Sequence, residues 1–188
     1  MTNTLNILEP FTKDYNRKVY ATKIAKEINL PQKTVSRILN NLVERGILKF
    51  QRTGRNKEYY FDLTNPKAKN TLLKVEINKS IDFLVKHQKI SLLIKDLLRA
   101  KIPVALFGSY AKKSEKKESD LDLLILTSES KVIQELVNKY PLKIHIQYSS
   151  FKEFKKLLRK NNALAKEILI NHIIFNYFEK FIELFENE

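Results

Sequence analysis

The sequence contains no cysteine. Disulfides, thiolate chemistry and cysteine-ligated zinc are thereby excluded. No apolar run approaches the roughly 20 residues that a membrane-spanning helix needs. The opening residues include Glu9 and Asp14 and lack a basic start followed by an apolar core. No secretory signal is therefore expected there, no membrane partner is expected, and the expected location is the cytoplasm. Acidic residues are few beside basic ones: 21 Asp+Glu stand against 35 Lys+Arg, a formal charge of +14. Glycine is scarcer still, with three in 188 residues.

The charge surplus suggests a polyanionic partner, because lysine and arginine release counterions from nucleic-acid phosphates. The abundance of Lys, Ile and Asn fits a lysine-rich protein of a low-GC genome equally well. The distribution is more informative. Residues 1–66 carry a net +6, residues 67–100 +5, and residues 101–188 only +3. The first half is the better candidate for touching phosphate.

Each of the three glycines, Gly46, Gly54 and Gly108, falls where a chain needs backbone freedom. Before Gly46, apolar residues at 35, 38, 39, 42 and 43 have helical spacing, and Gly46 reads as the left-handed cap of that helix. A shorter helix is expected from Ala21 to Ile28, with Asn29-Leu30-Pro31 turning the chain between the two. Gly54 lies between two runs of strand formers, residues 47–52 and 57–63, with Thr53-Gly54-Arg55-Asn56 as the turn. Two helices joined by a tight turn and followed at once by a basic-tipped hairpin resemble the winged-helix family of DNA-binding domains, over residues 5–64.

That resemblance implies a second helix whose N-terminal end enters the major groove of double-stranded DNA. Gln32, Lys33, Thr34, Ser36 and Arg37 lie there, opposite Val35, Ile38, Leu39 and Leu42. Gln and Arg read base edges, while Ser, Thr and Lys hold phosphates. Arg52, Arg55 and Lys57 on the hairpin are placed to reach a neighbouring groove or backbone. The same features also fit solvated side chains on a domain that binds protein.

Asn65-Pro66 opens a helical stretch, since proline suits a first turn. Residues 67–100 hold no Gly or Pro and repeat apolar residues as one long helix or two in tandem, with a break near His87-Gln88. Such a helix either forms the seam of a homodimer or packs on the domain that follows.

Gly108 ends the apolar strand Val104–Phe107, and Gly108-Ser109 opens a helix. Eleven residues past Ser109 stand Asp120 and Asp122, at the head of a second apolar strand. Alternation puts both carboxylates on one face, where they repel unless a cation lies between them. Oxygen-rich sites of this kind suit Mg²⁺ carrying nucleotide phosphates. The glycine lets the backbone approach those phosphates, and Lys112, one turn on, neutralises their charge.

This pattern is similar to the nucleotidyltransferase superfamily of the kanamycin nucleotidyltransferase and DNA polymerase beta type, over roughly residues 95–186. The resemblance implies that Gly108, Ser109 and Lys112 bind ATP or another NTP. It also implies that Asp120 and Asp122 bind Mg²⁺ as catalytic carboxylates. Members usually take a third carboxylate from a neighbouring strand. Here that strand, Leu142–Tyr148, offers His145 and Gln147 instead. Further on, helices are expected at Glu129–Asn138 and Phe151–Lys160, and one long helix at Asn162–Phe185.

The expected fold class is α+β: a winged helix-turn-helix (1–65), a helical connector (66–100), and a nucleotidyltransferase-fold domain with a small mixed sheet flanked by helices (101–188). The expected function is a DNA-binding transcription regulator, homodimeric, whose second domain takes Mg-nucleotide. The alternative is an active Mg-dependent nucleotidyltransferase, such as an antitoxin-type enzyme, modifying a protein, RNA or small-molecule hydroxyl. The missing third carboxylate favours the regulator.

Overall fold

A computed structural model of the chain describes residues 4–127 and 130–186. It divides into two compact units, Met1–Asn78 and Lys79–Glu188.

In the first unit, α1 (Thr4–Leu8) and a 3₁₀ turn (Glu9–Lys13) lead into a short strand β1 (Val19–Tyr20). Then come α2 (Ala21–Glu27), α3 (Gln32–Glu44), and the hairpin strands β2 (Leu48–Thr53) and β3 (Asn56–Phe61). Helix α4 (Pro66–Lys86) follows, its residues from Lys79 onward belonging to the second unit. The order helix, helix, hairpin is that of a winged helix-turn-helix. Helix α3 buries Val35, Leu39 and Leu42, spaced four and three apart, so one stripe of the helix faces the core. Asn29 between the helices adopts φ 53°, a left-handed conformation that asparagine tolerates. At the end of α3, Gly46 has φ 70°; its N–H donates to Val43 O, and the Ile47 N–H donates to Leu42 O. These paired bonds satisfy carbonyls the helix end would leave open. Strand β3 lies between β1 and β2, antiparallel to both. Phe11 meets Phe61 edge to face at 5.5 Å. The phenol of Tyr15 donates to Glu76 of α4 at 2.9 Å, with both residues buried.

In the second unit, α5 (Gln88–Arg99) precedes β4 (Val104–Phe107), α6 (Gly108–Ala111) and β5 (Leu121–Leu126). Helix α7 (Ser130–Val137), β6 (Ile144–Ser149), α8 (Phe151–Arg159), α9 (Ala163–Ile170), β7 (Ile173–Ile174) and α10 (Phe178–Glu186) complete it. The break between α4 and α5 falls at His87. Glu129, expected to begin α7, lies outside the described residues. The sheet runs β6-β5-β4-β7; β5 and β6 are parallel and the other pairs antiparallel. One face of β4 and β5 (Val104, Leu106, Leu121, Leu123, Ile125) packs with Leu93, Ile94 and Leu97 of α5 and Ile133 and Val137 of α7. Asp122 alternates to the other face with Leu124 and Leu126.

The single long helix expected over 162–185 is instead α9, β7 and α10. Ile173 and Ile174 add an edge strand to β4. The next residue but one, Asn176, clamps the head of β4. Its Oδ1 accepts from Val104 N at 2.9 Å and its Nδ2 donates to Ile102 O at 2.6 Å. Tyr177 then takes φ 51°, which no continuous helix allows. Phe181, Ile182, Leu184 and Phe185 of α10 are buried within the unit, while Leu164, Ile170 and Tyr177 are exposed.

Candidate nucleotide site and candidate DNA interface

The strand pairing makes the site. Phe107 of β4 lies opposite Asp122 of β5, so the residue after Phe107 arrives beside the Asp122 carboxylate. That residue is Gly108, buried, with φ 69°. A Cβ built there would stand 2.0 Å from Asp122 Oδ2 and 2.8 Å from its Cγ. Only glycine leaves room for the carboxylate. The helix α6 turns directly from this point; Lys112 N–H donates to Gly108 O at 3.1 Å, and Ser114 N–H to Ser109 O at 3.0 Å.

Asp120 precedes β5 after a turn in which Ser119 N–H donates to Lys116 O and the Ser119 hydroxyl accepts from Lys116 N–H. On the neighbouring parallel strand His145 stands in register with Asp122. Its Nδ1 is 3.6 Å from Asp122 Oδ1 and its Nε2 is 3.7 Å from Asp120 Oδ2. The exposed imidazole thus bridges the acid pair from the strand where the third carboxylate was expected. Lys112 Nζ sits 2.6 Å from Glu167 Oε1, on α9. Glu167 had not been singled out in the sequence; its separation of 55 residues from Lys112 gives no local signal.

Partial burial raises the Asp122 carboxyl above its ordinary value. His145 opposes this, while the charges of Asp120 and Glu167 add to it. A cation beside the pair would relieve that repulsion. Among the described residues no group of three or more His, Asp or Glu is arranged to hold a metal ion. Two carboxylates suffice for Mg²⁺ when substrate phosphates supply further oxygens. The acid pair and the close approach at Gly108 therefore fit a metal that arrives with its nucleotide.

In the first unit, Gln32, Lys33 and Arg37 are exposed at the start of α3, and Thr34 and Ser36 are half-buried. Lys33, Ser36 and Arg37 line a cleft with Asn40, Asn41 and Glu44, further along the same helix, and with Arg45 at its end, none of the latter expected from the sequence to line a site. Arg52 and Arg55 are exposed on the hairpin. Lys57 is held differently. Its Nζ donates to Asn40 Oδ1 at 2.9 Å and lies 4.4 Å from the centre of the Phe50 ring. It ties the wing to α3.

Comparison with known proteins agrees with both halves. Residues 87–184 match the nucleotidyltransferase domain family. Residues 12–99 match the penicillinase repressor family. A Methanocaldococcus jannaschii protein named "putative protein adenylyltransferase" is 33% identical over 103 residues, covering 54% of this chain and 86% of that protein. No solved structure gives a significant match. Among the described residues no helix is long and apolar enough to cross a membrane.

Proposed function

The chain belongs to the nucleotidyltransferase domain family, and we propose that it is a DNA-binding transcription regulator whose second unit takes up a metal–nucleotide complex. The observation that carries this reading is His145, in register with Asp122 where an enzyme would carry its third acid. A carboxylate there accepts a proton and adds negative charge to a metal site; an imidazole adds none. In this reading Asp120 and Asp122 hold Mg²⁺, Gly108 and Ser109 give backbone access to the phosphates, and Lys112 meets their charge. The metal would supply charge neutralisation for the phosphates.

On the DNA side, Arg37 and Gln32 reach base edges, and Lys33, Arg52 and Arg55 meet phosphates. Two copies would read two half-sites. The exposed apolar residues Ile81 and Val85 on α4 and Leu92 on α5 support such pairing.

A second reading is favoured by the name of the relative. In it the chain moves a nucleotidyl group to a hydroxyl: the acceptor oxygen bonds to the α-phosphorus and gives up its proton to solvent, the α–β bridge breaks, and pyrophosphate leaves. Incubating the protein with α-labelled ATP, Mg²⁺ or Mn²⁺ and candidate acceptors separates the two. The regulator reading expects bound nucleotide without covalent label. Label transfer that disappears in Asp122→Ala would replace it with the enzyme reading.

A further inference from the structure

Lys112 and Glu167 are brought together across 55 residues of the second unit, one just past α6 and one on α9. Their 2.6 Å contact puts a carboxylate on the cation that follows the Gly108-Ser109 turn. Lys112 is one helical turn from Gly108, through its N–H bond to Gly108 O. Gly108 in turn abuts the Asp122 carboxylate. A carboxylate is the nearest protein counterpart of a phosphate oxygen: an anionic acceptor of the same ammonium hydrogens.

From this we infer that Glu167 is a built-in competitor for nucleotide phosphate at Lys112, so that nucleotide entry exchanges one anion for another. The inference rests on the reading of Lys112 as a phosphate-binding residue. Both side chains are partly exposed, 43% for Lys112 and 38% for Glu167, so the bond is worth little and is readily exchanged. A triphosphate carries more charge than one carboxylate and wins the lysine. Glu167, being 38% exposed, then turns its carboxylate to solvent. The pair thus holds Lys112 in place without nucleotide, and any anionic occupant must displace the carboxylate before it can use the lysine.

The test is binding of a fluorescent ATP analogue with Mg²⁺ to the full chain and to Lys112→Met, Glu167→Gln and the double variant. Glu167→Gln is expected to bind roughly two- to fivefold tighter than the unaltered protein. Lys112→Met is expected to bind more weakly. In the Lys112→Met background, adding Glu167→Gln should change affinity by less than about twofold, because the competition runs through the lysine. Thermal unfolding of each variant checks the fold. If the unaltered protein binds and Glu167→Gln binds equally or more weakly, the competitor fails and the nucleotide site stands. A gain of the same size in both backgrounds also overturns it, since Glu167 would then act by general repulsion. If neither the unaltered protein nor Glu167→Gln binds, the nucleotide site itself fails and the competitor goes with it.

Discussion

Gly108→Ala should damage both the stability of the second unit and its nucleotide site, for two separable reasons. The backbone there has φ 69°, a left-handed conformation costing an L-residue roughly 1–2 kcal/mol. In addition the new methyl would lie 2.0 Å from Asp122 Oδ2, 2.8 Å from Cγ and 3.1 Å from Cβ. The carboxylate must swing away, because real atoms do not approach so closely. For a unit of this size, the backbone cost alone lowers the unfolding temperature by about 4–9 °C. Gly54 supplies the control: it too has positive φ, 61°, but a Cβ there meets nothing within 4 Å. Gly54→Ala should therefore lose stability without touching nucleotide binding. The assay is thermal unfolding by circular dichroism together with Mg-ATP titration. The double variant Gly108→Ala/Asp122→Ala should be more stable than additivity predicts, by about 0.5–3 kcal/mol, because removing the carboxylate removes the clash. A Gly108→Ala protein that binds Mg-ATP as well as the original would show that the close approach at Gly108 does not shape the site.

Asp122→Asn should raise the metal-free unfolding temperature at neutral pH. A carboxyl held above its ordinary 3.8 binds its proton more tightly folded than unfolded. Its stabilising share is present below that unfolded value and lost as pH rises through the raised folded one. The asparagine variant should lack this fall; identical pH–stability curves would count against it. On the DNA side, Arg37→Ala and Arg55→Ala should weaken duplex binding. A residue that meets a phosphate should flatten the plot of log affinity against log salt by about 0.9. Lys57→Ala should instead lower stability by about 1 kcal/mol through loss of its bond to Asn40 and its place over Phe50, with little change in salt slope. Filter binding across a salt series distinguishes the three.

Much of the site was legible because it is made of short-range signals. Gly108-Ser109, the strand on either side and the Asp120–Asp122 spacing lie within 23 residues, from Val104 to Leu126. Alternation alone places the two acids on one face, and antiparallel pairing of β4 with β5 does the rest. The helix-turn-helix was legible for the same reason, through the stripe of Val35, Leu39 and Leu42 and the cap at Gly46. The contact of Lys57 with Asn40 was also available, because alternation puts Lys57 on the face of buried Tyr59 and Phe61. The break of the C-terminal helix was not available. The run Ile168 to Phe175 is apolar enough for a buried helix or a buried strand, and periodicity does not separate them. What decides is Asn176 reaching back to Val104 and Ile102, contacts spanning more than seventy residues. The Lys112–Glu167 bond belongs to the same class, since its two residues lie 55 apart in the sequence.

The acids beside Gly108 are proposed to form a site for a metal-bound nucleotide. Calorimetric titration of the intact protein with ATP, with and without Mg²⁺, measures this directly. The expected result is saturable, Mg²⁺-dependent binding that is lost in both Asp120→Ala and Asp122→Ala. Equal binding heats from the unaltered protein and Asp122→Ala would contradict it.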